Sequence, residues 1–432
     1  MKIDIGNALA EVASPGISRE GLERLDRRVA TIHRKIETER NAGSFGYRAL
    51  DLPAAVDPAE IEELVSRLPP AETVVLVGIG GSALGAAAVD EALPSDRNLI
   101  VLDNVDPAAI DRLLADIDFE RSVVHVVSRS GTTTETLANF AVVREAMESD
   151  DVDWTDRTLV TTGNDGPLRS TADRHDLPCA QTPEGVPGRY SVLSTVALPT
   201  LAILGVDIAS LLAGGRAGVA QRSESLFESP AYAYGAVSYA LSLRGARVNA
   251  LMPYAESLET FGEWLAQLWA ESLGKDGLGQ LPARALGATD QHSQLQLYRA
   301  GPRNVQVTFL AVDEGPDVPV TGIVEDDLDY LGNTSLREIL DVELRATEAS
   351  LAAAGRPSVR LTIDRVDAYA LGELLVGMEA ACMMAGELFE IDPFDQPSVE
   401  WGKRAVRGQL GARSTREAQA LRDKVELEID GD

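Results

Sequence analysis

Short runs of β-branched residues alternate with helix-length segments in two separate parts of this chain. The predicted strands are 73–77, 98–102, 122–127 and 157–161 in the first part, and 247–252, 305–312 and 359–363 in the second. One predicted helix begins near residue 82, and the others span 134–147, 260–273, 335–354 and 368–389. Because strands that alternate with helices form parallel sheets covered on both faces, we expect an α/β fold.

The two runs of strands predict two domains, each a three-layer αβα sandwich with a parallel or mixed sheet. The expected divisions are an N-terminal helical segment (1–45), a first α/β domain (46–205), a second α/β domain (206–390), and a C-terminal loop and helix (391–432). We expect charged helices over 17–40 and over about 403–428 in the two end segments.

Several features favour a cytoplasmic protein without a membrane contact. The most apolar stretch, 196–212, contains Pro199 and Asp207, and predicts a buried helix rather than a membrane span. No positively charged leader precedes an apolar run at the N-terminus. The two cysteines, Cys179 and Cys382, are far apart and lack metal-ligand spacing, so we expect free thiols in a reducing compartment.

The charge balance restricts the possible partners. With 68 acidic and 39 basic residues, the formal net charge is −29 at pH 7, which argues against a nucleic-acid partner. Lysine is scarce, with 5 residues against 34 arginines. Acid-rich, lysine-poor surfaces are typical of proteins that stay soluble in concentrated salt, so we expect a halophilic source; an ordinary acidic bacterial protein is the alternative.

A glycine-rich turn, Gly78–Ser82, lies between a predicted strand and a predicted helix. Glycines let backbone N–H groups approach an anion, and the helix N-terminus adds unpaired donors, so Gly81 and Ser82 are candidates for phosphate binding. Two alternatives remain open. Gly78, Gly80 and Ala83, with Asp103 further on, also fit a dinucleotide-binding pattern, and the glycines could simply permit a tight turn.

The segment 128–136 also follows a predicted strand, and six of its nine residues carry hydroxyl groups. That density suits the three oxygens of a terminal phosphate. The candidates are Ser128, Arg129, Ser130, Thr132 and Thr133. A Ser/Thr-rich helix cap is the alternative. Since loops after successive parallel strands meet at one sheet edge, we expect both segments to hold a single phosphate.

Glu271 and Gln267 are four residues apart on a predicted helix, so they share one face beside an apolar stripe. Partial burial there would suit a general base, whereas a solvated polar pair is the structural alternative. His292, in a polar turn, is the histidine best suited to acid–base chemistry. Arg189 follows a proline and a glycine that restrict how its guanidinium is presented.

Two further polar residues, Gln396 and Lys403, lie near the C-terminus. Lys403 is one of the few lysines in the chain, and so is Lys275, which follows the Gln267–Glu271 pair. A solvated surface position is the alternative for Gln396, Lys403 and Arg189 alike.

Taken together, these segments resemble the phosphoglucose isomerase family, whose domains are of the sugar-isomerase (SIS) type. The matching segments are Gly-Gly-Ser (80–82), Ser-Arg-Ser-Gly-Thr-Thr-Thr-Glu-Thr (128–136), Pro-Gly-Arg-Tyr-Ser (187–191), Gln-x-x-x-Glu-Ser-x-Gly-Lys (267–275), Gln-His-Ser (291–293) and Gln-x-x-Val-Glu-x-x-Lys (396–403). They occur in the family's order and span most of the chain.

The resemblance implies a reaction and a role for each candidate. The reaction is the isomerisation of glucose 6-phosphate and fructose 6-phosphate, in glycolysis and gluconeogenesis, through ring opening and a cis-enediol. Glu271 would move the proton between C1 and C2, and Arg189 would stabilise the enediolate. His292 and Lys403 would open the ring, and His292 would be supplied by the neighbouring subunit of a homodimer. The residues implied in substrate binding are Gly81, Ser82, Ser128, Arg129, Ser130, Thr132, Thr133, Gln267 and Gln396.

This chemistry requires no metal or redox cofactor, and the sequence contains no ligand cluster for one. Two residues depart from the family pattern. Arg129 stands where a lysine is common, which keeps the charge but changes the geometry toward phosphate. Ser398 stands where glycine is usual and would be strained if the loop required a positive φ. That puts the placement of Lys403 in question.

Three other functions fit parts of the sequence. A dinucleotide-dependent oxidoreductase would use the glycine turn but leaves the hydroxyl-rich segment unexplained. A non-catalytic sugar-phosphate sensor would not need Glu271, Arg189, His292 and Lys403 together. An isomerase of broader scope would also accept mannose 6-phosphate.

Low salt should destabilise the chain. Reducing KCl from about 1 M to about 0.1 M lengthens the Debye length from about 3 Å to about 10 Å, so the acidic groups repel one another more strongly. We expect the thermal unfolding midpoint and the activity to fall together. Sucrose added at low KCl is the control, because sucrose favours the burial of protein surface but does not screen the repulsion between the acidic groups. A midpoint that does not respond to KCl would contradict a halophilic origin.

Overall fold

The computed structural model describes residues 1–322, 326–411, 415–421, 423–429 and 431. Their contacts divide the chain into two units, Met1–Pro393 and Phe394–Asp432. All of the strands in the described residues belong to the first unit and form two five-stranded sheets. The domain boundaries predicted inside the first unit remain predictions.

The strands and helices of the described residues are numbered in chain order. The strands are β1 (Lys2–Asp4), β2 (Thr73–Val77), β3 (Asn98–Leu102), β4 (Ser122–Ser128), β5 (Thr158–Thr162), β6 (Cys179–Gln181), β7 (Val248–Pro253), β8 (Leu281–Arg284), β9 (Val305–Val312) and β10 (Ser358–Ile363). The helices are α1 (Arg19–Asn41), α2 (Leu52–Ala55), α3 (Pro58–Val65), α4 (Leu84–Ala92), α5 (Pro107–Asp116), α6 (Thr134–Ser149), α7 (Pro167–Arg174), α8 (Leu198–Leu204), α9 (Ile208–Ala220), α10 (Pro230–Leu243), α11 (Glu259–Leu273), α12 (Leu295–Ala300), α13 (Leu336–Ala353), α14 (Ala368–Phe389), α15 (Pro397–Gln409) and α16 (Arg416–Ala420).

The first sheet has the strand order β3-β2-β4-β5-β6, and every pairing in it is parallel. Alternate residues of one strand enter different cores, because side chains alternate across a sheet. Val75 of β2 packs in a core with Phe140 of α6, whereas Val74 packs in a second core with Ile203 of α8. Helices therefore cover both faces, and the three-layer αβα prediction is confirmed for this sheet.

The second sheet has the order β1-β10-β9-β7-β8 and is parallel except for the edge strand β1. On one face, Phe309 of β9 packs in a core with Leu344 of α13. On the other face, the amide Nδ2 of Asn249 in β7 donates to the hydroxyl of Tyr234 in α10 at 2.9 Å. This sheet is also a helix–sheet–helix sandwich, so the predicted fold class is confirmed.

Three details differ from the predictions. The stretch 196–212 is not one helix, because α8 ends at Leu204, its cap Gly205 is in the left-handed conformation, and α9 begins after the cap Asp207. The helix predicted over 403–428 is wrong: α15 ends at Gln409 and α16 is a short separate helix. Positions 412–414 and 422 of that prediction lie outside the described residues. The sequence does not predict the short strands β1, β6 and β8.

The helix α14 is the one described helix that is long and apolar enough to cross a membrane, yet 89% of its most apolar window is buried inside the protein. It packs against α9, α10 and α11 and forms the centre of the helical part of the first unit. Its apolar composition is that of a core helix. Both cysteines are free thiols, Cys382 inside α14 and Cys179 in β6, as predicted.

Candidate functional site

The two candidate phosphate loops lie side by side at the carboxyl edge of the first sheet. The glycine turn follows β2, the hydroxyl-rich loop follows β4, and these two parallel strands pair directly. A Cβ built on Gly78 would be 3.3 Å from the carbonyl oxygen of Val127, near the end of β4. The topology therefore brings both loops together, as ligand sites in parallel α/β sheets require.

The hydroxyl groups of the second loop bond mainly to one another. Ser128 Oγ and Thr133 Oγ1 are 2.9 Å apart, and Thr132 Oγ1 donates to Ser130 Oγ at 3.1 Å. Thr133 is the N-cap residue of α6, but its side chain makes no capping hydrogen bond. The hydroxyl cluster therefore does not act as an ordinary side-chain cap, and it lies at a helix N-terminus, where anions bind readily. The guanidinium of Arg129 lies over the Phe45 ring, 5.6 Å from its centroid.

The glycine turn makes close contact with two other segments. Gly80 has a φ of +58°, and a Cβ there would lie 2.7 Å from the amide nitrogen of Gln267. A Cβ on Gly81 would lie 2.5 Å from the backbone carbon of Gly188 and 2.6 Å from the backbone nitrogen of Arg189. Only glycine permits this approach, so the turn sets the spacing between the phosphate loops, α11 and the segment that carries Arg189.

Arg189 and Glu271 form a partly buried ion pair beside this turn. Arg189 Nη1 is 3.4 Å from Glu271 Oε2, and the Arg189 and Glu271 side chains are 3% and 27% exposed. The amide of Gln267 donates to the other carboxylate oxygen of Glu271 at 3.0 Å. The surface alternative for Arg189 is therefore wrong. Glu271 and Gln267 are a partly buried pair rather than a solvated one.

Two neighbours of Arg189 were not among the predicted site residues. Its Nε donates to the hydroxyl of Ser272 at 2.8 Å, and its Nη2 donates to the carbonyl oxygen of Pro393 at 2.7 Å. The hydroxyl of Tyr190 donates to the same Ser272 oxygen at 3.0 Å. The available signal for Ser272 was its place directly after Glu271 in the motif at 267–275.

The four histidines occupy different environments. His292 is exposed at the end of the short 3-10 helix Thr289–Gln291, and no hydrogen bond between described residues joins its ring to Arg189 or Glu271. His125, in β4, lies between the hydroxyls of Thr200 and Thr161, and its burial lowers the pKa of His125 to about 3. The other two are His33 in α1 and His175 at the end of α7.

Gln396 and Lys403 belong to the second unit, Phe394–Asp432. Gln396 is the N-cap residue of α15, and Lys403 Nζ, on the same helix, pairs with Glu400 at 2.7 Å. Ser398 lies in the first turn of α15 and is not among the positive-φ residues, so the strain considered for it does not arise. The roles of Gln396 and Lys403 remain predictions.

The arrangement has the parts needed to move a proton next to a carbonyl. A carboxylate can accept the proton, and a buried guanidinium beside it can stabilise the oxyanion that develops. Neighbouring loops supply donors for a phosphate group. Within the described residues, no group of three or more His, Cys, Asp or Glu side chains could hold a metal ion.

Comparison with known proteins assigns the chain to a family. Residues 70–320 match the family model described as phosphoglucose isomerase. A probable glucose-6-phosphate isomerase of the halophilic archaeon Natronomonas pharaonis is 60% identical over 98% of this chain and 99% of its own length. The halophilic relatives agree with the source expected from the charge balance.

Solved structures have the same fold. A hypothetical protein from Thermus thermophilus, 33% identical, superposes with a TM-score of 0.87 over 95% of this chain and 99% of its own. A glucose-6-phosphate isomerase from Chlamydia trachomatis, 22% identical, superposes with a TM-score of 0.81 over 94% of this chain and 89% of its own length. The dinucleotide-dependent alternative has no support among these matches. The chain belongs to the phosphoglucose isomerase family.

Proposed function

We propose that this chain interconverts glucose 6-phosphate and fructose 6-phosphate, by opening the sugar ring and moving a proton between C1 and C2 through a cis-enediol. The observation that carries the proposal is the ion pair between Arg189 and Glu271, which is partly buried and directly beside the glycine turn. A base and a cation at this distance, next to donors for a phosphate, match an aldose–ketose isomerisation. The reaction belongs to glycolysis and gluconeogenesis.

Glu271 is the proposed base. It lies near the end of α11, where the amide of Gln267 hydrogen-bonds one oxygen and leaves the other facing Arg189. Proton removal next to a carbonyl places negative charge on the carbonyl oxygen. The guanidinium of Arg189, held in a site with little water, stabilises that charge more strongly than solvent would.

The phosphate end of the substrate is assigned to the two loops after β2 and β4. Hydroxyl and backbone N–H donors there match the three terminal oxygens, and the N-terminus of α6 adds a partial positive charge. The proposed binding residues are Gly81, Ser82, Ser128, Arg129, Ser130, Thr132 and Thr133, with Gln267 and Gln396 positioning the sugar.

Ring opening is assigned to His292 and Lys403. We propose that His292 acts in the site of a second copy in a homodimer, which fits its exposure and the absence of a hydrogen bond to Arg189 or Glu271 among the described residues. The proposed location is the cytoplasm, where both sugar phosphates are processed.

Replacing Glu271 with glutamine should remove the base but keep the side-chain shape. We expect activity from fructose 6-phosphate, in an assay for glucose 6-phosphate with chelator present, to fall by about 10²- to 10⁴-fold. Affinity for sorbitol 6-phosphate, which binds through the phosphate and cannot isomerise, should change little. Glu263→Gln is the matched control, because Glu263 lies two turns earlier on α11 and pairs with Arg284 at the surface. Normal turnover by Glu271→Gln would exclude Glu271 as the base.

Gly81→Ala should displace the segment that carries Arg189, because the added methyl group would overlap the backbone at Gly188. A shift of about 1 Å in a reacting group can cost about 10²-fold in rate, so we expect a kcat loss of that order. Gly262→Ala is the control: the same change on α11 places the methyl group 3.6 Å from Leu251, an ordinary contact. Equal activity of the two variants would show that the close approach at Gly81 has no role.

Mixing two inactive variants tests the shared site. Chains with Glu271→Gln are co-assembled with an equal amount of chains with His292→Gln. If His292 acts across the interface, each mixed dimer has one site with both wild-type residues. Random assembly should then restore about a quarter of wild-type activity. If His292 serves its own chain, every site lacks one group and no activity returns. Each variant assembled alone provides the baseline.

A further inference from the structure

The hydroxyl group of Ser272 lies at the centre of a buried hydrogen-bond network behind the Arg189–Glu271 pair. Ser272 is fully buried in α11, and its oxygen accepts hydrogen bonds from Arg189 Nε at 2.8 Å and from Tyr190 Oη at 3.0 Å. One serine therefore ties two neighbouring side chains of the segment after β6 to α11.

Consecutive residues of α11 hold the same guanidinium from two sides. Glu271 Oε2 faces Nη1 at 3.4 Å, and Ser272 Oγ accepts from Nε at 2.8 Å. An arginine side chain has several rotatable bonds and loses about 2 kcal/mol of conformational entropy when it is fixed in one position. A bond at Nε, where the planar group begins, fixes the direction in which the two terminal nitrogens point.

Two acceptors of the guanidinium, besides Glu271, are uncharged. Ser272 supplies a hydroxyl oxygen, and Pro393 supplies a backbone carbonyl oxygen that accepts from Nη2 at 2.7 Å. A carboxylate at either place would orient Arg189 but would add a negative charge to that of Glu271. Neutral acceptors orient the group without adding to the negative charge that competes with the oxyanion for it.

Tyr190 orients Ser272 through a second hydrogen bond. The Tyr190 side chain is fully buried, and this burial raises the pKa of its phenol well above the ordinary value. The phenol therefore stays protonated, and remains a hydrogen-bond donor, at any pH in which the enzyme would work. Donation from Tyr190 directs one lone pair of Ser272 away from Arg189, so the other remains for Nε.

We propose that Ser272 is a positioning residue for the isomerisation, which aims the guanidinium of Arg189 at the enediolate through an acceptor that carries no charge of its own. This inference rests on the proposed function. It adds a residue that acts only through Arg189, and the hydroxyl–guanidinium bond should therefore affect the transition state and leave ground-state binding almost unchanged.

Ser272→Ala tests the inference in the full-length chain at high salt. Loss of a hydrogen bond to a charged group should lower kcat by about 10- to 100-fold, with KM nearly constant. The affinity for a five-carbon phosphorylated hydroxamate, which mimics the enediolate, should fall by the same factor. The affinity for sorbitol 6-phosphate, which mimics the bound sugar alone, should stay the same. Equal losses for both ligands, or a loss for neither, would overturn the positioning role.

A second variant keeps the test decisive if Ser272→Ala does not fold, as thermal unfolding at the same salt concentration would reveal. Tyr190→Phe removes only the phenol oxygen and leaves the bond from Arg189 to Ser272 possible. We expect a smaller loss of kcat than for Ser272→Ala, with the same selective weakening of hydroxamate binding. Unchanged hydroxamate binding would overturn the network. A wild-type chain without isomerase activity would instead refute the proposed function, so the two failures are distinguishable.

Discussion

The ion pair between Arg189 and Glu271 is the contact that the surrounding structure is arranged to maintain. Removing a guanidinium from water costs several kcal/mol unless it is paired and hydrogen-bonded. Arg189 has a carboxylate, a hydroxyl and a backbone carbonyl oxygen as acceptors. The two members of the pair are 82 residues apart, so the pair forms only when the segment after β6 docks on α11. The glycine turn after β2 leaves the space for that docking.

The fold was largely predictable because its strands have a strong local signal. The runs Thr73–Val77, Asn98–Leu102 and Val305–Val312 are β-branched or apolar, and their predicted bounds match the structure. The helix predicted over 403–428 failed for a related reason. Its charges suggested a solvated helix, but that part of the chain lacks a continuous apolar stripe, and Gly411, with a φ of +86°, follows the end of α15. Charge pattern alone is weak evidence for a helix.

The site was predictable in its residue types but not in its burial. Gln267 and Glu271 share a helix face by spacing alone, and the structure places them together. The burial of Arg189 depends on Ser272 and Pro393, which lie 83 and 204 residues away in the chain. No local pattern encodes such contacts. Ser272 was part of the motif at 267–275, but its bond to Arg189 could not be predicted for the same reason, since that partner lies 83 residues away.

A chain with a net charge of −29 must still bind an anion. At about 1 M salt the Debye length is about 3 Å, so the repulsion between the acidic surface and a phosphate is lost beyond the first contacts. The same screening would remove any long-range attraction from a positive patch. The proposed phosphate loops after β2 and β4 offer instead hydroxyls, backbone N–H groups and the N-terminus of α6, which act at hydrogen-bond distance and are screened much less. A site of short-range, mostly neutral donors is therefore compatible with an acidic surface in concentrated salt, and the guanidinium of Arg189 is buried where solvent ions have little access.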